Sequence, residues 1–399
     1  MLDYFSIWPF FVEIGVLLAL VATSLFAAAD APPIPATDRI DTFDGLRGFL
    51  ALSVFFHHAA AYHDYLQTGT WKSPASHFYL HVGPAGVAVF FMITGFLFYT
   101  QLLKVHGKPN WKKLYMGRAF RILPLYWFAV ALVFIGVMIH TQGRLAVPPI
   151  QLFLEMVRWS LGALFPEAPI NGSAFATQIT LDVTWTLRYE WFFYFSLVLI
   201  ALATRWRWGR FLLPPVVLCV ALLHEVLGLQ GPGPWICVAL FGVGMSVAAV
   251  RCAWPQAVAR GPVASIAAAI FWLATILVAR DVVFRPVPVL CLGAFFLLIG
   301  LGTDLFGLLR TRPARRLGNI SYGIYLLQGA VFAAASSFAP VRALALQSPL
   351  GHWAVALVEG IALVVLATLT HRLIERPGIE LGRRLAAAES TPRKAVSEA

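Results

Sequence analysis

Apolar residues fill this chain in long blocks from one end to the other, with short polar breaks between them. An α-helix needs about 17–25 residues to cross roughly 30 Å of hydrocarbon. Eleven blocks approach that length, at 8–29, 46–63, 83–103, 122–140, 183–203, 211–229, 234–250, 264–279, 287–308, 318–339 and 352–372. The breaks carry Pro32-Pro33, Pro148-Pro149, Gly231-Pro232-Gly233-Pro234, Arg312-Pro313 and Ser348-Pro349, where proline and glycine end helices. Block 8–29 holds Glu13, and block 234–250 is short and glycine-rich. The stretch 150–165 is apolar but carries Glu155 and Arg158, which suits an interfacial helix in a long loop. The pattern predicts an all-α chain, a polytopic helical membrane bundle of about 11 transmembrane helices.

Composition agrees. Of 399 residues, 59% are hydrophobic and 12% charged, against roughly 45–50% and 25% in a soluble domain. Mean hydropathy is +0.77. These values exclude a disordered chain, and apolar runs from end to end exclude a single-pass anchor. Cys219, Cys237, Cys252 and Cys291 are dispersed, with no CxxC pair, which argues against a disulfide module, a zinc site or a thiol redox role. There is no Walker A or dinucleotide loop. His77 and His81 read as surface residues of an outer loop, and Asn171-Gly172-Ser173 fits the glycosylation sequon.

The net charge of +11 would suggest nucleic acid on a soluble protein. Its placement says otherwise. Met1-Leu2-Asp3-Tyr4 lacks a basic residue, so block 8–29 reads as a first helix with its amino terminus outside rather than as a signal peptide. Twenty-three of the thirty basic residues, from Arg39 to Arg393 and Lys394, then fall on the cytoplasmic side. Six fall outside, and Arg188 lies within a span. This is the positive-inside rule, so the excess records orientation, with a cytoplasmic carboxyl terminus and no nucleic-acid partner. The last dozen residues read as a disordered polar tail.

Ionisable groups within spans are costly and mark candidate sites. On a helix from Asp44, Arg47 and His58 lie about 20° apart in azimuth and roughly 16 Å apart in height. Asp44 shares their face, and His57 points elsewhere. His58 reads either as a histidine bonded to a neighbouring helix or as a chemical group. Trp185, Arg188, Glu190 and Tyr194 lie together on a later span. If that span starts at the outer surface, Glu190 reaches a depth close to that of His58, where a carboxylate could fix the imidazole's tautomer. The other reading is a structural role with Arg188. Arg118 and Arg121 sit three apart at an inner membrane edge, where arginine forks suit lipid headgroups, topology or a phosphate ligand.

Together these segments resemble the membrane-bound acyltransferase-3 family of bacterial surface-carbohydrate O-acyltransferases, over about residues 39–377. The resemblance rests on Asp44-Gly45-Leu46-Arg47-Gly48 through His58, Phe90-Phe91-Met92-Ile93-Thr94-Gly95-Phe96-Leu97, Arg118-Ala119-Phe120-Arg121 and Trp185-Thr186-Leu187 with Glu190 and Phe193-Tyr194. It closes on Leu317-Gly318-Asn319-Ile320-Ser321-Tyr322-Gly323-Ile324-Tyr325 and Ile374-Glu375-Arg376-Pro377. The family often has Trp-His where this chain has Leu327-Gln328, Arg188 stands at a position usually small or polar, and helix 8–29 is additional to ten usual spans. The resemblance divides the chain into an additional helix and linker (1–38), an acyltransferase membrane domain (39–377) and a cytoplasmic tail (378–399).

The resemblance implies acyl transfer, with acetyl expected, from cytoplasmic acetyl-CoA as donor substrate to a hydroxyl of a cell-surface or lipid-linked carbohydrate. It implies no metal. The location is the bacterial inner membrane, among membrane lipids and glycan-biosynthesis proteins. Arg118 and Arg121, with Arg47, are expected to hold CoA phosphates. His58 is expected to act as base or to carry the acyl group. Glu190 is expected to orient His58 or bind acceptor hydroxyls, and Asp44, Trp185, Arg188 and Tyr194 to bind substrate. The rival from another class is a transporter or flippase of a lipid-linked saccharide, which would also need charges at mid-depth. No internal repeat supports it. A degenerate binding scaffold would lack His58 or the arginine pair, and both are present.

Overall fold

A computed structural model describes residues 3–30, 40–229 and 234–388. The Pro32-Pro33 and Gly231-Pro232-Gly233 breaks, Arg39, Arg393, Lys394, the 38/39 domain boundary and nearly all of the predicted disordered tail lie outside them. The described residues form α1 (Trp8–Ala22), α2 (Asp41–Thr68), α3 (His77–Lys104), α4 (Trp111–His140), α5 (Pro149–Ser160), α6 (Phe175–Thr180), α7 (Trp185–Thr204) and α8 (Gly209–Val226). They continue as α9 (Pro234–Ala253), α10 (Pro262–Val278), α11 (Pro286–Gly300), α12 (Arg312–Asn319), α13 (Ser321–Ser336), α14 (Ala339–Gln347), α15 (Pro349–Thr370) and α16 (Arg376–Ala388). Among the described residues there is helix and no strand. The chain is a polytopic helical membrane protein.

Each of the eleven apolar blocks contains a helix. Among the described residues six helices are long and apolar enough to span, and the pair α13–α14, bent by 98°, makes a seventh if taken as one. The apolar helices α1, α10 and α11 are shorter. Several helices open on proline, as at Pro149, Pro262, Pro286 and Pro349, where the fixed φ suits the first turn and no backbone donor is lost. Two expectations need correction. Block 8–29 is helical only to Ala22 and then tightens into a 3₁₀ turn at Ser24–Ala29. His77 and His81 stand in the first turns of α3, with rings 4.5 Å apart, and His81 is fully buried.

Glycines set the close approaches. The backbone of α2 meets α12 so tightly that a Cβ at Gly318 would collide with the carbonyl of Asp44, and one at Gly48 with Leu317. Gly45 meets the carbonyl of Leu309 in the same way. α3 and α9 interlock through Gly95 against Phe241 and Gly244 against Met92. Small residues let helices approach closely where lipid offers no hydrophobic drive for association. The glycines of the DGLRG, ITGFL and LGN segments are therefore packing residues.

α2 and α13 run parallel, so Gly318 lies beside Asp44, Phe332 stacks on Phe55 at 5.2 Å, and Ser336 bonds Tyr62 at 2.9 Å. The segment between α5 and α7 folds inward. Ile170, Ile179, Leu181 and Val183 are buried, and Gly329 of α13 meets the carbonyl of Ile179. Glu167 pins the segment by accepting from Thr180 (2.5 Å) and Thr184 (2.6 Å). Asn171, at 1% exposure, donates its amide to Arg144 O and Thr141 Oγ1, so the sequon asparagine is an internal brace. Leu181 and Asp182 have φ of 51° and 55°, two non-glycine residues in the left-handed region just before α7.

Candidate active site

Five of the predicted site residues converge. Arg47 from α2, Arg118 and Arg121 from α4, and Glu190 and Tyr194 from α7 line one cavity of about 180 Å³. Phe90, Phe91, Ile93, Thr94 and Leu97 supply its α3 wall, and Ser321, Tyr322 and Tyr325 its α13 wall. The recurring segments thus divide by helical spacing. In the α2 and α3 segments one face lines the cavity, with Arg47 and Thr94, and glycines such as Gly48 and Gly95 bring the helices together.

Glu190 accepts a 2.6 Å hydrogen bond from Tyr194 Oη, one turn along α7. Its carboxylate supplies the negative charge among three lining guanidiniums. The Arg118 guanidinium lies 4.3 Å from the centroid of the Phe98 ring, a cation–π contact that fixes its direction. Such a cluster of arginine forks around one carboxylate keeps a net positive charge, which suits a phosphate-bearing ligand.

His58 stands apart from this cavity. It is 9% exposed, and its Nδ1 lies 3.1 Å from Gln328 Oε1. Gln328 donates its own Nε2 to the Tyr325 carbonyl at 2.8 Å, which orients Oε1 toward the imidazole. An amide oxygen only accepts. The proton therefore sits on His58 Nδ1, and the Nε2 lone pair is left to take a proton. Gln328 is three residues of α13, about 4.5 Å of helical rise, beyond Tyr325 of the cavity wall. His57 is a satisfied core histidine, with Nδ1 2.7 Å from the Tyr79 carbonyl.

The expected pairing of Glu190 with His58 is corrected. α7 starts deep. The Trp185 ring packs on Phe91, at 6.0 Å. Phe91 is about 21 Å from the start of α3, near the middle of that 28-residue helix. The inward fold before α7 lowers its first residue, so Glu190 lies level with the arginines rather than with His58.

The other predicted residues have other places. Trp185 is an aromatic packing residue between Phe91, Tyr189 and Phe284. Asp44 gives its backbone to the contact with Gly318. Arg188 has a buried Nε that meets no hydrogen-bond partner among the described residues. Neither Trp185, Asp44 nor Arg188 lines the cavity. Among the described residues no His, Cys, Asp and Glu cluster could hold a metal.

Several residues had no readable signal. Gln328 stood out only as a departure from a family pattern. Trp71, whose ring lies 6.0 Å from His58 and about equally near Tyr62 and Tyr65, comes from a loop that the apolar blocks leave unmarked.

The chain is similar to known proteins. Nodulation protein 10 of Rhizobium leguminosarum bv. viciae is 27% identical over 379 residues, covering 87% of this chain and 95% of that protein. The exopolysaccharide production protein ExoZ of Rhizobium meliloti (strain 1021) is 35% identical over 115 residues, 28% of this chain and 32% of that protein. No solved structure matches. The acyltransferase domain model of the acyltransferase-3 family matches residues 40–369, a span holding His58, the arginine cluster and every segment of the cavity wall. The chain belongs to the acyltransferase-3 family and is a membrane acyltransferase.

Proposed function

We propose that this protein moves an acyl group, acetyl in the simplest case, from cytoplasmic acyl-CoA to a hydroxyl of a cell-surface or lipid-linked carbohydrate. The observation that carries this is the vertical order of chemistry along α2. Arg47 stands with Arg118 and Arg121 around one cavity, and His58 stands roughly 16 Å higher with a free Nε2 lone pair. The arginine end faces the cytoplasm in the topology that obeys the positive-inside rule. The carbohydrate acceptor is supported by the ExoZ relative, which is named an exopolysaccharide production protein.

The arginines hold phosphates of the donor, and its thiol-bearing arm enters the cavity between α3, α7 and α13. At the far end the acceptor hydroxyl donates its proton to His58 Nε2 as its oxygen attacks the thioester carbonyl. The carbon–sulfur bond breaks, the ester forms, and His58 returns the proton to the thiolate. Gln328 holds the imidazole in the tautomer this requires. Glu190 and Tyr194 keep the arginines placed and balance their charge. Arg121→Ala is expected to weaken CoA binding to the purified protein about tenfold or more, the value of one charge-assisted phosphate contact. Calorimetry that gives equal affinities for the variant and the wild type would remove Arg121 from the donor site.

A further inference from the structure

We propose that α16 completes a nucleotide-binding chamber, in which Lys113 and Arg383 hold phosphates of the donor's adenosine half beside Arg118 and Arg121. This rests on acyl-CoA as the donor. A second cavity, of about 680 Å³, lies between the end of α3, the start of α4 and α16. Arg118 and Arg121 line both this chamber and the smaller cavity, so the two adjoin at the arginine pair. Its lining holds four basic side chains, Lys113, Arg118, Arg121 and Arg383, and no Asp or Glu. Gln101 and Asn110 add polar groups, and Ile379 and Ala386 an apolar wall. Its volume falls within the roughly 300–1,000 Å³ of small-molecule sites.

The wall is built, not incidental. A π-helical turn at His371–Glu375 separates α15 from α16. α16 then seats on α4 through Gly378 and Gly382, where a Cβ would meet Phe120 and, at Gly378, Pro124. Arg383 follows Gly382 directly, so its position is set by that contact. Lys113 is in the first turn of α4, whose end Asn110 caps by accepting from the Lys113 backbone at 2.9 Å.

The two cavities match a ligand with a wide anionic head and a narrow neutral arm. Coenzyme A has that form, with a 3′-phosphate and a pyrophosphate on adenosine and a thin pantetheine arm. The large basic chamber fits the head, and the small cavity fits the arm and thioester. A lipid headgroup would share the phosphate chemistry, and the donor's truncated form separates the two sources.

The test compares initial rates of thiol release from acetyl-CoA and from acetyl-pantetheine, which lacks the nucleotide, for wild type and the Lys113→Gln/Arg383→Gln variant. Both side chains are exposed, so folding should hold, and an unchanged melting temperature checks this. The expected result is a KM for acetyl-CoA raised about tenfold or more, with kcat and the constants for acetyl-pantetheine within about twofold. Adenosine 3′,5′-bisphosphate should inhibit the wild type and lose that potency by a similar factor in the variant. Arg383→Lys alone should retain part of it. An unchanged KM for acetyl-CoA, or an equal loss with both donors, overturns the chamber. If the variant instead changes only the dependence on added anionic lipid, the chamber holds a headgroup and the proposal also fails. In each of these cases wild-type turnover of acetyl-CoA leaves the donor assignment standing, whereas a wild type that turns over neither donor overturns both.

Discussion

Replacing His58 with alanine is expected to lower acyl transfer by about 10²–10⁴-fold, the usual contribution of a general base, while the protein still folds and still binds CoA. Among the described residues the imidazole's one side-chain hydrogen bond is to Gln328, 3.1 Å away, so the variant loses a single polar side-chain contact. The groups proposed to bind the donor are on the other side of Tyr325, around the cavity of Arg47, Arg118 and Arg121. Chemistry and donor binding should therefore separate. Mass spectrometry of surface glycans from a deletion strain carrying His58→Ala should lack the acetyl increment that the wild-type gene restores. Gln328→Ala should give a smaller loss, because the imidazole keeps its lone pair and loses only the group that fixes its tautomer. Wild-type acetylation by the His58→Ala strain would remove His58 from the chemistry.

The largest structural effect is expected at Arg316. Its side chain is 1% exposed, and its Nη1 donates to the carbonyls of Val21, Ala22 and Thr23 at 2.7, 3.2 and 2.6 Å. Those are the orphan acceptors at the end of α1, so an arginine from α12 caps a helix nearly 300 positions earlier. Its Nε and Nη2 donate to both oxygens of Asp30, at 2.8 and 2.9 Å. Arg312 also donates to Asp30. Arg316→Met would take the arginine donor from the Val21 and Ala22 carbonyls and from part of the Asp30 carboxylate, while Thr23 O keeps the Phe26 backbone N–H, a cost on the order of 3–5 kcal/mol. Hydrogen exchange should show faster exchange at α1 amides in the variant, and the melting temperature should fall. Slow exchange through α1 in the variant would show that apolar packing alone holds that helix.

The same cluster sets a pH dependence. Hydrogen bonds from Arg316 and then Arg312 hold the Asp30 carboxyl well below the usual carboxylate range. A depressed carboxyl stabilises the fold fully above its unfolded value of about 4 and loses that effect only as pH falls toward the folded value. Attachment of α1 should therefore be constant from neutral pH down to about pH 4 and weaken in stronger acid.

Helical content was legible because membrane spans declare themselves by length and apolarity. All eleven blocks contain helices, although Glu13 and the glycines of 234–250 broke the pattern in two of them. The arginine cluster was legible in part, because Arg118 and Arg121 share a helical face by spacing alone. The depth of Glu190 was not. It depended on where α7 starts, and that is fixed by the Ile179 contact to Gly329 and the Glu167 brace, contacts between distant segments. Arg316 was counted as one more cytoplasmic charge because its function is to cap a remote helix. Lys113 and Arg383 were hidden for a similar reason: they meet only when α16 folds back onto α4.

The central claim is that the acyl group enters from CoA at the arginine end and leaves on a hydroxyl at the His58 end. Sealed membrane vesicles from the deletion strain, carrying the wild-type protein and its native acceptors, test this directly with radiolabelled acetyl-CoA. Label should reach the glycan fraction when the vesicles expose the cytoplasmic face. It should not do so in right-side-out vesicles or with His58→Ala. Equal labelling in both orientations, or acetylated glycan that carries no label from acetyl-CoA, would contradict the account.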